Sequence, residues 1–169
     1  MPKKLLKRWM PDPHKLQESK YLKIFGNLLH NPNLWHLNRH SAAKAFAVGL
    51  FCAFIPIPFQ MILAASLAII AHANLPLSVA IVWITNPLTM PAIFYVCYLV
   101  GTLILGEEEQ AFHFDASWQW VLDSLQTIGP AFLIGCGALA VTFSIIGYFS
   151  IHALWRYSVA RAWNDRNKK

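Results

Sequence analysis

AFAVGLFCAFIPIPFQMILAASLAIIAHANLPLSVAIVWITNPLTMPAIFYVCYLVGTLILG, residues 45–106, is a run of 62 residues without an Asp, Glu, Lys or Arg. A helix needs about 20 apolar residues to cross about 30 Å of hydrocarbon, so the run is long enough to cross more than once. Prolines decide how. Pro56 and Pro58 cut it at IPIP, Pro76 opens a further piece, and Pro87 and Pro91 cut it again at NPLTMP. The pieces 45–55, 59–75, 77–86 and 91–105 hold 11, 17, 10 and 15 residues. At 1.5 Å per residue they are about 16, 25, 15 and 22 Å long, and two of them cannot cross alone.

Proline removes a backbone donor and disfavours helix in the residue before it, so carbonyls near IPIP and NPLTMP lose their ladder partners. Inside hydrocarbon that is tolerated only where protein buries the break or a watery cavity lies beside it. The expected fold is therefore an all-α membrane protein in which two Pro-broken, re-entrant helical hairpins pack on one C-terminal transmembrane helix. Two ordinary kinked spans are the alternative.

That C-terminal helix is read from residues 124–155, a second run of 32 without charge. Pro130 suits a first helical turn, residues 131–154 are mostly apolar, and Trp155, Arg156 and Tyr157 close the span as an interfacial anchor. The chain as a whole is 56% hydrophobic and 13% charged, which argues against a water-soluble enzyme.

A net charge of +6 suggests a polyanion partner until its distribution is read. Nine Lys and Arg lie in residues 1–44 and five in 156–169, and the five acids Glu107, Glu108, Glu109, Asp115 and Asp123 lie between. The segments carry +7, −5 and +4 once Asp12, Glu18 and Asp165 are subtracted from the two ends. This pattern orients a chain in a membrane and is no nucleic-acid footprint. Basic flanks mark the cytoplasmic side, so both termini are expected there. The number of crossings is then even, and with one crossing in 131–154 the 62-residue run must cross an odd number of times. One re-entrant hairpin plus one full crossing satisfies this, as do three short tilted crossings.

Three parts follow: a basic cytoplasmic or interfacial segment 1–38, a membrane domain 39–155 containing an acidic amphipathic loop 106–130, and a basic cytoplasmic tail 156–169. In the loop, Trp118, Val121, Leu122, Leu125 and Ile128 share a helical face suited to the interface. Lys3, Lys4, Lys7 and Arg8, interleaved with Leu5, Leu6 and Trp9, form a basic patch suited to anionic lipid. No apolar stretch before Asn33 is long enough for a cleaved signal.

Chemistry-bearing groups are sparse. Cys52, Cys97 and Cys136 are isolated in apolar runs and read as small packing residues. His36 and His40 share spacing but lack a third ligand, so no metal and no cofactor are expected. His72 and His152 near segment ends suit interfacial positions. No nucleophile, phosphate loop or carboxylate pair appears, and an enzyme is not expected.

The breaks themselves carry polar side chains. Gln60 follows IPIP, while Thr85, Asn86 and Thr89 surround NPLTMP, and all four can bond freed backbone groups. Pro58 and Pro91 suit first turns, with Thr89 a cap, so two half-helix N-termini would attract an anion. Arg39 and Lys44, at the cytoplasmic mouth, can receive it. Small residues at helical spacing, Ser41, Ala45, Gly49 and Ala53, then Ala64 and Ala68, then Ala140 and Ser144, allow close packing and a homo-oligomer.

Residues 39–101 closely resemble the bacterial membrane family called domain of unknown function 2062. The resemblance rests on Arg39 with Ser41, Gly49, Pro56, Pro58 and Gln60, Asn74 with Pro76, Asn86, Pro87, Thr89 and Pro91, then Tyr95, Tyr98 and Gly101. It implies a multi-pass protein of the bacterial inner membrane without an established activity. The expected function is handling of an anionic lipid or lipid phosphate at a site formed by the broken helices. A structural or adaptor membrane protein without transport activity is the alternative.

Overall fold

The computed structural model describes residues 34–107 and 128–167. Five helices, and no strand, occur among the described residues: α1 Arg39–Phe54, α2 Gln60–Ile70, α3 Leu75–Val82, α4 Met90–Leu105 and α5 Gly129–Asn167. The N-terminal basic patch and positions 108–127 of the acidic loop lie outside them.

Each helix end has a local cause. Asn38 Oδ1 accepts from the Ser41 N–H at 2.8 Å while Ser41 Oγ accepts from the Asn38 N–H at 3.0 Å, a reciprocal cap that starts α1. At the other end Ile55 is extended (φ −83°, ψ 121°), the conformation Pro56 imposes on its predecessor. The sequence suits Pro58 to the first turn of α2, but the structure places it before the helix. Phe59 intervenes in the left-handed region (φ 66°), and α2 starts at Gln60. His72 (φ 51°) ends α2: its N–H bonds Ile69 O and the Ala73 N–H bonds Ala68 O, the paired closure of a left-handed C-terminal turn.

Asn74 Oδ1 then accepts from the Leu77 N–H at 3.1 Å and opens α3, with Pro76 in its first turn. Every residue of α3 except Ala80 is buried, which holds a β-branched octapeptide in helix against its propensity. It is shorter than the piece 77–86 suggests. The N–H groups of Trp83, Ile84 and Thr85 each reach back three residues, to Ala80, Ile81 and Val82, and so tighten the end before Pro87.

Packing places α1 at the centre, with α5 on one side and the α2–α3 pair on the other. Its buried residues are accordingly small: Ser41, Ala42, Ala43, Ala45, Gly49, Cys52 and Ala53, with Phe54 at the end. A Cβ on Gly49 would lie 2.6 Å from Ile81 Cβ and 2.8 Å from Ser78 O, so α3 comes this close only against glycine. The α2–α3 hairpin doubles back to the start of α1, where the Asn74 N–H bonds Ser41 O at 3.1 Å and Lys44 Nζ donates to Ala71 O at 2.9 Å.

α5 is antiparallel to both of its partners. Its lower half meets α1, with His40 and His152 rings 5.4 Å apart and Phe54 stacked on Phe143 at 4.9 Å. Its upper half meets α4, where Phe94 faces Phe132 edge-on at 5.3 Å. There the backbones touch: a Cβ on Gly101 would overlap the Ala131 carbonyl, and one on Gly135 the Cys97 carbonyl. Within residues 129–161 of α5 an 18-residue stretch has a mean hydropathy of 2.0, and among the described residues this helix alone is long and apolar enough to cross a membrane. It runs past the expected end at Leu154 to Asn167, since neither glycine nor proline follows Gly147.

Gly135→Ala is expected to destabilise the protein in detergent by about 1–3 kcal/mol through forced separation of α4 and α5. Gly137→Ala, with open space around it, should be neutral or stabilising by up to about 1 kcal/mol. Thermal unfolding of the two variants checks this; equal effects would contradict the described contact.

Candidate functional site

The polar residues around the two proline clusters come together at mid-height, but as partners of backbone groups. Gln60 is the link. Its Nε2 donates to Ile55 O at 2.6 Å, a carbonyl beside Pro56, and its Oε1 lies 3.3 Å from Thr85 Oγ1. Thr85 Oγ1 is also 3.0 Å from Val82 O, so its single proton is shared between the two acceptors. A bond from the start of α2 thus reaches the end of α1 and the end of α3.

Asn86 and Thr89 form a second unit. Asn86 Oδ1 accepts from the N–H groups of Leu88 and Thr89 at 2.9 and 3.1 Å, and Thr89 Oγ1 accepts from the Asn86 N–H at 3.1 Å. This is a reciprocal cap centred on Asn86, with Pro87 just inside it. Thr89 was expected as the capping residue of α4; at that position it makes no side-chain cap, because its hydroxyl donates instead to Ile84 O. Asn86 Nδ2 meets Trp83 O at 3.4 Å, the carbonyl that Pro87 leaves without its usual N–H partner.

Between the two units lies a gap of about 320 Å³, lined by Phe59–Ile62 and by Val82, Trp83, Thr85, Asn86 and Pro87. The sequence does not single out Phe59 and Trp83, yet they are 67% and 62% exposed at its rim. Aromatics flanking the two proline clusters are the signal that could have marked them. The amide and hydroxyl groups here are engaged, so the gap offers apolar contact and carries no acid, base or nucleophile.

Arg39 and Lys44 belong to the opposite end of α1, and the structure separates them. Lys44 is drawn to Ala71 O, where its charge also suits the C-terminus of α2. Arg39 instead lines a cavity with residues of α5. The six expected site residues therefore fall into three places: Gln60 with Thr85, Asn86 with Thr89, and the α1 end where Arg39 and Lys44 diverge. No group of three His, Cys, Asp or Glu among the described residues could hold a metal ion.

These features define an all-helical protein built on one long apolar helix with an interrupted partner beside it. A family model described as "Uncharacterized protein conserved in bacteria (DUF2062)" matches residues 22–164, and the chain belongs to that family. No match was found among curated proteins or among solved structures.

Gln60→Leu removes both bonds of the link and leaves Ile55 O without its partner, at a cost of about 1–3 kcal/mol. Thr85→Val should cost less alone, and the double variant should fall short of the sum, because both act on one network. Thermal unfolding of the three proteins measures the cycle; additive losses would mean the two residues are not coupled.

Proposed function

We propose that the protein is an integral protein of the bacterial inner membrane with two net crossings, in which α1 and α4 form one interrupted crossing, α5 forms the other, and the α2–α3 hairpin is re-entrant. The supporting observation is one of heights along α5. Ala131, beside Gly101, and His152, beside His40, are 21 residues apart, a rise of about 32 Å that matches the hydrocarbon thickness. Phe143, where Phe54 stacks, lies about 14 Å from the His152 level and about 18 Å from Ala131. The proline clusters then sit near the midplane. The hairpin returns to the side on which α1 starts, so residues 45–106 cross once. Both basic termini face the cytoplasm.

Within this frame the protein handles an anionic lipid. The midplane gap takes the acyl portion, since its walls are apolar and its polar groups are engaged, and Phe59 and Trp83 stand exposed at its rim. The phosphate does not reach the breaks; its charge is met at the basic face. A structural or adaptor role is the second reading, favoured by the full use of Gln60, Thr85, Asn86 and Thr89 in backbone bonds.

Reporter fusions after Gln110 and at Lys169 should read outside and inside respectively. In a background without native cysteines, His72→Cys should be labelled from the cytoplasmic side. Labelling from the outside would overturn the re-entrant hairpin. Native mass spectrometry of the extracted protein should find retained anionic phospholipid, diminished by the gap-filling Ile62→Trp; unchanged retention would favour the structural role.

A further inference from the structure

An unexplained cavity lies where α1 begins and α5 leaves the proposed span. It holds about 870 Å³ and opens between Arg39 and His40 of α1 and Trp155, Arg156 and Trp163 of α5. Three observations show what it suits.

Arg39 is the first. Its Nε is buried and has no hydrogen-bond partner among the described residues. A guanidinium donor withdrawn from water and left unpaired is costly, and no group among the described residues repays it. Lys44, five residues on, found a carbonyl; Arg39 did not.

The second is convergence of like charge. Arg39 and Arg156 line the same cavity and both lie within electrostatic reach of His152, whose ring sits edge-on to His40 at 5.4 Å. Among residues whose side chains are described, only Glu107 is acidic, and it follows α4 at the opposite end of the molecule. Two arginines that line one cavity, with no carboxylate there among the described side chains, suit an anion, and their forked donors match phosphate oxygens.

The third is the wall. Trp155 is buried, Trp163 is exposed, and Val159 lies between them on α5, so one side of the cavity is aromatic and aliphatic. Tryptophan at this height belongs to the headgroup level of a bilayer. An anion bound here would have apolar substance attached.

We infer that the Arg39–Arg156 cavity is the binding site for a membrane-borne phosphomonoester, an anionic headgroup whose near-double negative charge matches two guanidinium groups. This rests on the lipid-handling reading and supplies the charged site that the midplane gap lacks. Arg39 and Arg156 grip the phosphate oxygens, His40 adds a donor, and Trp155 and Trp163 flank the first carbons of the lipid.

The test uses the full-length protein in phosphatidylcholine nanodiscs, titrated with short-chain phosphatidic acid, short-chain phosphatidylcholine and inorganic phosphate. Phosphatidic acid should bind and raise the unfolding temperature, and Arg39→Gln or Arg156→Gln should each weaken it about tenfold or more. Arg156→Lys should recover part of the loss. Arg161→Gln, on α5 but outside the cavity, should leave binding unchanged. Arg39→Gln without ligand should be no less stable than the parent, since it removes an unpaired buried donor; that separates lost binding from lost folding. Equal affinity for inorganic phosphate would overturn the membrane-borne assignment, and indifference of binding to both arginine variants would overturn the site. Either failure would leave the topology and the gap untouched, whereas outside labelling at position 72 would overturn the frame while leaving phosphate binding measurable.

Discussion

A backbone N–H or C=O cannot be left unpaired in apolar surroundings, and this fold consists largely of answers to that constraint. Two helices, α1 and α3, and the turn leading into α4 begin at asparagines whose side-chain carbonyl oxygens accept the first free N–H groups: Asn38, Asn74 and Asn86. The C-terminus of α2 closes on itself through His72 and Ala73 and receives Lys44 as well. Carbonyls near the proline clusters get side chains in place of the lost ladder, Gln60 for Ile55 and Asn86 for Trp83. Nearly every polar residue in the uncharged stretch thus has a backbone task, which is why those near the breaks make poor ligand donors.

The second constraint is distance. Apolar side chains gain nothing from leaving lipid for protein, so helices in a membrane associate through close van der Waals contact, which only small residues permit. α1 accepts neighbours on two sides because Ala42, Ala43, Ala45, Gly49 and Ala53 face them. α4 reaches the backbone of α5 only because Gly101 and Gly135 carry no side chain. Bulky residues are turned outward along α5, where Leu133, Ile146, Phe149 and Leu154 stand exposed.

The C-terminal apolar helix was legible from hydropathy, and the family from its proline and asparagine motifs. The positions of the helix ends were nearly so, because proline acts on its immediate neighbours. What spacing did not reveal depends on tertiary contact. The place of Thr89 before Pro91 suits a cap, whereas the turn that Asn86 starts claims it first. Charge and proximity group Lys44 with Arg39, yet a carbonyl 27 residues away claims it. The cavity that Arg39 and Arg156 both line joins residues more than a hundred positions apart, and no local pattern carries that information.

Arg39 and Lys44 show how accounting for backbone bonds separates structure from function. Both are cations on one helix, near one end, in surroundings that penalise an unpaired charge. Lys44 has a flexible stem and a point charge, and it folds onto the open end of α2, where a carbonyl and the helix dipole satisfy it. Arg39 has a planar fork that needs acceptors on more than one side, and it points into a cavity with a second arginine and no described carboxylate. If Arg39 served only to orient the chain by charge, exposure at the surface would suffice, and burying its Nε would gain nothing. A buried donor without a partner among the described residues, in a cavity that a second arginine also lines, suits an anion. Under the proposed topology, the basic residues that would orient the termini can therefore also recognise a ligand, provided it arrives within the plane of the bilayer at the headgroup level, where that topology sets Trp155 and Trp163.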